Sequence, residues 1–179
     1  MKVLILCGSP HKDGTTNKLA NAFISGVDLK KHKIEKFYLD SKNIEPCSGC
    51  DYCQKNAGMC CKRDDMMELY GSLLTADAVV FASPLYYFGM PAQMKLFIDR
   101  FYAINDELRK QTYKKAILLS AGADEDPKVF EAISKHFDIM VDYLNWQPSG
   151  KVLALGCAVK EDLEKTTYLE DAKVLAENL

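Results

Sequence analysis

The chain has 179 residues and 20.1 kDa, with 48% hydrophobic and 27% charged residues. That fits one globular domain with a full core and excludes a disordered or low-complexity chain. Its 23 Lys and Arg against 25 Asp and Glu give a net charge of −2, which argues against a nucleic-acid binder and against a docking protein relying on a strongly acidic field.

The N-terminal run Val3–Cys7 is almost wholly apolar, the pattern of a strand covered on both faces in a parallel sheet, and too short for an export signal. A cytoplasmic setting follows as the default. There the seven cysteines serve as ligands, redox groups or buried thiols rather than as a disulfide frame. Leu19, Phe23 and Val27 share one face of a first helix. Ile34–Leu39 mixes apolar residues with Glu35 and Lys36, which suits an edge strand. Asp65 with Glu68 resembles a capping box ahead of the apolar face Met66, Leu69, Tyr70 and Leu73.

A second buried run, Ala78–Ala82, precedes Pro91, which suits the first position of a helix carrying Met94, Phe97, Ile98 and Phe101. The stretch 76–92 is the most apolar, but Ser83, Pro84, Gly89 and Pro91 interrupt it. It falls short of the roughly 20 residues that span a bilayer, so no membrane partner is expected. Ala116–Ala121 is a further strand. Pro127 opens a helix with Phe130, Ile133, Phe137, Met140 and Leu144 on its buried side. Val152–Cys157 is the last strand, and Leu169, Ala172, Leu175 and Leu179 mark the last helix. Strands alternating with helices predict an α/β fold over residues 1–179 as a single domain. Its form is a flavodoxin-like, doubly wound five-stranded parallel sheet in the order 2-1-3-4-5, with helices on both faces.

The loop Gly8-Ser9-Pro10-His11-Lys12-Asp13-Gly14-Thr15-Thr16-Asn17 joins the first strand to the first helix. Its hydroxyls and the helix N-terminus favour an anion, with phosphate the obvious guest. A plain Gly/Ser-rich turn capped by Thr15 or Thr16 explains the same residues. A Walker loop is excluded, because five residues separate Gly8 from Gly14 and Thr15 stands where Lys is required. The loop Ser83-Pro84-Leu85-Tyr86-Tyr87-Phe88-Gly89-Met90-Pro91 leaves the third strand at the topological switch point. It offers apolar and aromatic walls for a flat ring.

With both loops in view, the sequence resembles the flavodoxin-like NAD(P)H-dependent flavin mononucleotide (FMN) reductases, and more closely their iron–sulfur flavoprotein relatives. The segments carrying the resemblance are Gly-Ser-Pro-x-x-x-Gly-x-Thr and Ser-Pro-Leu-Tyr-Tyr-Phe-Gly-Met-Pro-Ala-Gln-Met-Lys-Leu-Phe-Ile-Asp-Arg, within about residues 1–125. The resemblance implies that Ser9, His11, Thr15, Thr16 and Asn17 contact an FMN phosphate. It implies that Pro84, Leu85, Tyr86, Tyr87, Phe88 and Gly89 border the isoalloxazine, and that Ser120, Ala121 and Gly122 meet its pyrimidine edge. His11 stands where the family usually has Arg, and Thr15 where Asn is common.

Cys47-x2-Cys50-x2-Cys53-x6-Cys60, followed at once by Cys61, lies in a Cys-rich loop at about residues 46–63. Cysteines spaced in this way can wrap an iron–sulfur cubane. The resemblance implies Cys47, Cys50, Cys53 and Cys60 as ligands of a [4Fe-4S] cluster on the same rim as the flavin. Zinc more usually takes two separated Cys pairs, and a flavin-only loop of free thiols is the plain alternative. Cys7 and Cys157 read as buried packing thiols, His32 and His136 as solvated.

The expected function is an FMN-dependent oxidoreductase that takes hydride from NAD(P)H and reduces a flavin, quinone, nitro compound or protein acceptor. The alternative is an iron–sulfur flavoprotein acting as an electron carrier. The cofactor carries the chemistry, so no catalytic acid or base is assigned. The adjacent aromatics Tyr86, Tyr87 and Phe88 point to a homodimer or homotetramer.

Overall fold

The computed structural model describes residues 1–179. Five parallel strands, β1 (Lys2–Cys7), β2 (Lys33–Tyr38), β3 (Ala78–Pro84), β4 (Lys115–Ala121) and β5 (Gln147–Ala154), form one sheet in the order β2-β1-β3-β4-β5. This is the flavodoxin-like α/β arrangement expected from the sequence. The order reverses between β1 and β3, so their connections diverge and open a crevice at the strands' C-terminal ends. The helices are α1 (Thr15–Gly26), α2 (Tyr52–Lys55), α3 (Met66–Thr75), α4 (Ala92–Asp99), α5 (Asn105–Arg109), α6 (Glu131–Tyr143) and α7 (Tyr168–Glu177).

The central strands lack alternation because both faces are covered. Val3, Ile5 and Val80 pack with Leu19 and Phe23 of α1 and Ala172 of α7. Leu4, Leu6, Val79 and Phe81 pack with residues of α3, α4 and α6, including Leu69, Phe97 and Phe137. Each fully buried side chain of this size contributes about 1.5–3 kcal/mol. Gly26 allows α1 to approach α7 closely, since a Cβ there would overlap the backbone of Lys173. No helix is long and apolar enough to cross a membrane.

Four local expectations need correction. Asp65 forms no capping box: its carboxylate accepts from Asn43 N–H at 2.8 Å, Asp64 accepts from Met66 N–H at 3.2 Å, and Glu68 pairs with Lys42 at 2.5 Å. The last strand starts at Gln147, because the first half of this edge strand faces solvent and carries no apolar run. It ends at Ala154, since Gly156 takes φ +65° and Cys157 N–H turns to Gly122 O at 2.8 Å. His32 and His136 are half-buried rather than solvated; burial, then Lys95, pushes the His136 imidazole below its ordinary range.

Candidate functional site

The C-terminal ends of β1, β3 and β4, together with the loop after β5, enclose a cavity of about 550 Å³. Its floor is the loop between β1 and α1. There Ser9 Oγ accepts from His11 N–H at 3.2 Å, and His11 O accepts from Gly14 N–H at 2.9 Å and Asn17 Nδ2 at 2.8 Å. The loop carbonyl is thus turned away from the opening. The first helical bond runs from Lys18 N–H to Gly14 O at 3.0 Å, so the N–H groups of Thr15, Thr16 and Asn17 have no helical acceptor. Hydroxyls, free N–H groups and the positive end of α1 make a cradle for a phosphomonoester.

The second wall is the loop after β3. Leu85 N–H donates to Ala121 O at 3.1 Å, tying it to β4. Tyr86 and Gly89 exchange two backbone bonds of 3.0 Å, with Tyr87 (φ 45°) and Phe88 (φ 67°) left-handed between them. Such a turn favours Asn-Gly, so two aromatics here store strain. Gly122 packs closely behind this wall: a Cβ would lie 3.0 Å from Leu85 Cδ2 and 3.3 Å from Phe130 Cζ. The third wall is Cys157–Glu161, which sequence reasoning missed. Across the mouth, Asp13 ion-pairs with Lys160; the hydrogen bond holds the carboxyl below its ordinary range and the ammonium above it.

The cysteine loop forms a second, smaller cavity of about 20 Å³, lined by Cys47, Cys50, Cys53, Cys60 and Cys61 with Arg100, Tyr102 and Ala103. Left-handed residues Gly49, Asp51, Ala57 and Gly58 fold the loop tightly. It is fastened to the segment after α4: Tyr102 Oη donates to Asp51 Oδ1 at 2.9 Å, and Gln54 Nε2 to Tyr102 O at 3.1 Å. A Cβ on Gly58 would come 3.0 Å from Ala103 O. Sγ of Cys50 and Cys61 lie 3.7 Å apart, and all seven cysteines are free thiols. The Tyr52 backbone N–H, then Ser48 and Cys61, lower the Cys50 thiol.

Arg100 and Asp64 are buried beside these sulfurs. Nη1 donates to Asp64 Oδ2 at 2.5 Å and Glu45 O at 2.9 Å, Nη2 donates to Asp64 Oδ1 at 3.1 Å, and Nε is buried without a partner. Burial raises the Asp64 carboxyl, but Arg100 and the backbone N–H groups of Glu45 and Met66 outweigh it and hold it below the usual carboxylate range.

Residues 1–159 match the NADPH-dependent FMN reductase family. The chain belongs to that family. It is 38% identical over 175 residues to an iron-sulfur flavoprotein of Archaeoglobus fulgidus, covering 94% of this chain and 77% of the relative. It is 34% identical to iron-sulfur flavoprotein MJ1083 of Methanocaldococcus jannaschii, over 56% of this chain and 51% of that protein. The solved NAD(P)H:quinone oxidoreductase from Methanothermobacter marburgensis shares its fold, with a TM-score of 0.77, 20% identity and coverage of 99% and 95% of the two chains.

In this FMN reductase family member the structure gathers Ser9, His11, Thr15, Thr16, Pro84, Leu85, Tyr86, Ala121 and Gly122 around one cavity. Asn17, Tyr87, Phe88, Gly89 and Ser120 do not line it. Asn17 is fully buried and braces the loop through His11 O, Tyr87 is wholly exposed, and Ser120 lies inside the sheet. Cys7 is a buried thiol as expected, pushed up to about 11 chiefly by burial. Cys157 is buried too, yet also borders the larger cavity.

Cys47, Cys50, Cys53 and Cys60 do share one cavity, but Cys61 joins them. The two cavities share no lining residue, and the smaller one is bordered by Arg100, Tyr102 and Ala103, which follow α4. Ile44 and Cys53 belong to the apolar cluster that also holds buried residues of α3 and α4. No three His, Cys, Asp or Glu side chains converge on one point as for a single metal ion. A cubane binds each thiolate to a different iron and needs no such convergence. Arg100 lines the cavity and its Nε–H is buried without an acceptor, a cation beside five cysteines that fits an anionic thiolate cluster.

Proposed function

We propose that this protein is an iron–sulfur flavoprotein that carries electrons from NAD(P)H to a small-molecule or protein acceptor. In this reading FMN lies in the larger cavity and a [4Fe-4S] cluster on Cys47, Cys50, Cys53 and Cys60. The observation that carries the reading is the cysteine-lined cavity bordered by a buried arginine whose Nε–H has no partner. When bound, FMN supplies hydride acceptance and the cluster supplies transfer of single electrons.

The chain's own work is binding and orientation. Ser9, Thr16 and the N–H groups opening α1 hold the phosphate, with His11 at the entrance. Pro84, Leu85 and Tyr86 form one side of the ring site, and Ala121 and Gly122 form its polar edge. The exposed turn carrying Tyr87 and Phe88 is the surface on which a second copy packs, giving a homodimer or homotetramer.

Anaerobic purification with FMN, iron and sulfide assays tests this directly. One FMN per chain, four irons per chain and loss of iron in Cys53→Ser support it; an iron-free protein that keeps FMN overturns the cluster. That second outcome is the flavin-only reductase, which the 3.7 Å contact between Cys50 and Cys61 thiols favours. Retention of FAD with release of FMN would overturn the flavin assignment.

A further inference from the structure

We propose that Arg100 is a potential-setting residue, donating its Nε–H to the group held by the cysteine loop. The inference rests on the cluster reading above and adds a residue outside the cysteine motif.

Arg100 is only 1% exposed, among the most buried large side chains of the protein. A guanidinium offers five N–H donors. Asp64 and Glu45 O engage the Nη1 and Nη2 end. Nε, on the other edge of the planar group, has no acceptor. A buried donor without an acceptor is rare in a folded protein and asks for a ligand. The cavity that Arg100 lines is bordered by five cysteines, and Arg100 is the one fully buried cation on it. Lys62, the second cation there, is partly exposed and paired with Glu45 at 2.8 Å.

Asp64 makes this donor dependable. Its carboxylate grips Arg100 in a two-point fork and accepts from Glu45 N–H at 2.9 Å, so the guanidinium plane is fixed before any ligand arrives. Arg rather than Lys is needed, because an ammonium engaged with Asp64 leaves no rigid second edge. A cluster with four thiolates is an anion and gains a further negative charge on reduction. A hydrogen bond from Arg100 to a sulfur therefore favours the reduced form and raises the potential.

The test uses the full chain, reconstituted anaerobically with iron, sulfide and FMN. Arg100→Lys keeps a cation for Asp64 and lacks the Nε–H. We expect wild-type iron content and a reduced-to-oxidised ratio about threefold to tenfold lower at the wild-type midpoint, tenfold being ~59 mV for one electron. In parallel, reduced protein grown with ¹⁵N-arginine, in an Arg63→Lys background, should show a nitrogen coupling to the cluster by pulsed electron–nuclear double resonance. If Arg100→Lys fails to fold, that coupling decides alone. Full iron with an unchanged potential, or no nitrogen coupling, overturns the role of Arg100 while leaving the cluster intact. Wild-type protein that binds no iron overturns the cluster reading and this inference together.

Discussion

The Asp13 carboxylate and the Lys160 ammonium, 147 positions apart, form an ion pair across the mouth of the larger cavity. The pair links the loop that opens α1 to the loop that follows β5, two segments otherwise anchored on different strands. Lys18 reinforces the link, reaching Glu164 at 2.5 Å and Lys160 O at 3.3 Å. Both members of the mouth pair are solvent-exposed, so the pair contributes little to fold stability. Lys160→Ala should release FMN about twofold to fivefold faster, with the difference shrinking in high salt. Stopped-flow flavin fluorescence measures this, and equal release rates would show that the pair does not retain FMN.

In the proposed FMN site, Ser9 is expected to contribute more to the phosphate grip than His11. Ser9 is 5% exposed and its hydroxyl already orders the loop, whereas the His11 side chain faces solvent. Ser9→Ala is expected to weaken FMN binding about tenfold, and His11→Ala by less. Equilibrium titration compares the two; a larger loss in His11→Ala would place the main anion contact on the imidazole.

Asp64 ties acid stability to the cysteine loop. Its folded-state carboxyl lies below the ordinary range, near 3.9 in an unfolded chain, so its contribution is complete above that value. The contribution is lost as pH falls through the folded value. Asp64→Asn leaves Arg100 buried without its counter-charge and should cost about 3–5 kcal/mol in urea unfolding at pH 7. The variant's stability should also vary less with pH below 4.

Lys114 gives a pH dependence of the same sign at the alkaline end. It is fully buried, donates to Leu73 O and Ala76 O at 2.5 Å each, and is pushed down to about 8 by burial. Between that value and the ordinary 10.5 the unfolded chain holds a proton that the folded chain has released. Stability from this group therefore rises with pH across that window. Cys7, raised from 9.0 to about 11, acts the other way above pH 9. The clean measurement is the stability of wild type minus that of Lys114→Met, which should climb from pH 8 to 10.5.

Tyr87 and Phe88 hold positive φ values while presenting 100% and 57% of their surface to solvent. Two strained residues with exposed rings are costly for a monomer. Replacing them by Asn-Gly should relax the turn and stabilise the isolated chain, while shifting sedimentation from dimer or tetramer towards monomer. A wild-type protein that sediments as a monomer at micromolar concentration would contradict the interface.

Buried parallel strands leave an unbroken apolar signature, so β1, β3 and β4 and the crevice between them were legible from residue type alone. The start of β5 was not, because Gln147, Pro148 and Ser149 lie on an edge where solvent tolerates polar side chains. Residues 158–161 were missed for a related reason. Their charges resemble an ordinary solvated turn, and only their place after the fifth strand brings Lys160 to Asp13. The cysteine motif was plain in its spacing, but its seat was not. Arg100 reads as the end of an amphipathic helix until the fold lays residues 46–63 across it.

The sheet divides the interior into two apolar layers, and the cysteine loop is rooted in only one of them, through Ile44 and Cys53. Occupancy of the loop should therefore be felt unevenly in hydrogen exchange. Iron loading would slow amide exchange in α3 and α4, while α1 and α7 on the far side keep their opening rates. On the same asymmetry, oxidative loss of the proposed cluster is expected to loosen α3 and α4 first and to leave the start of α1 unchanged.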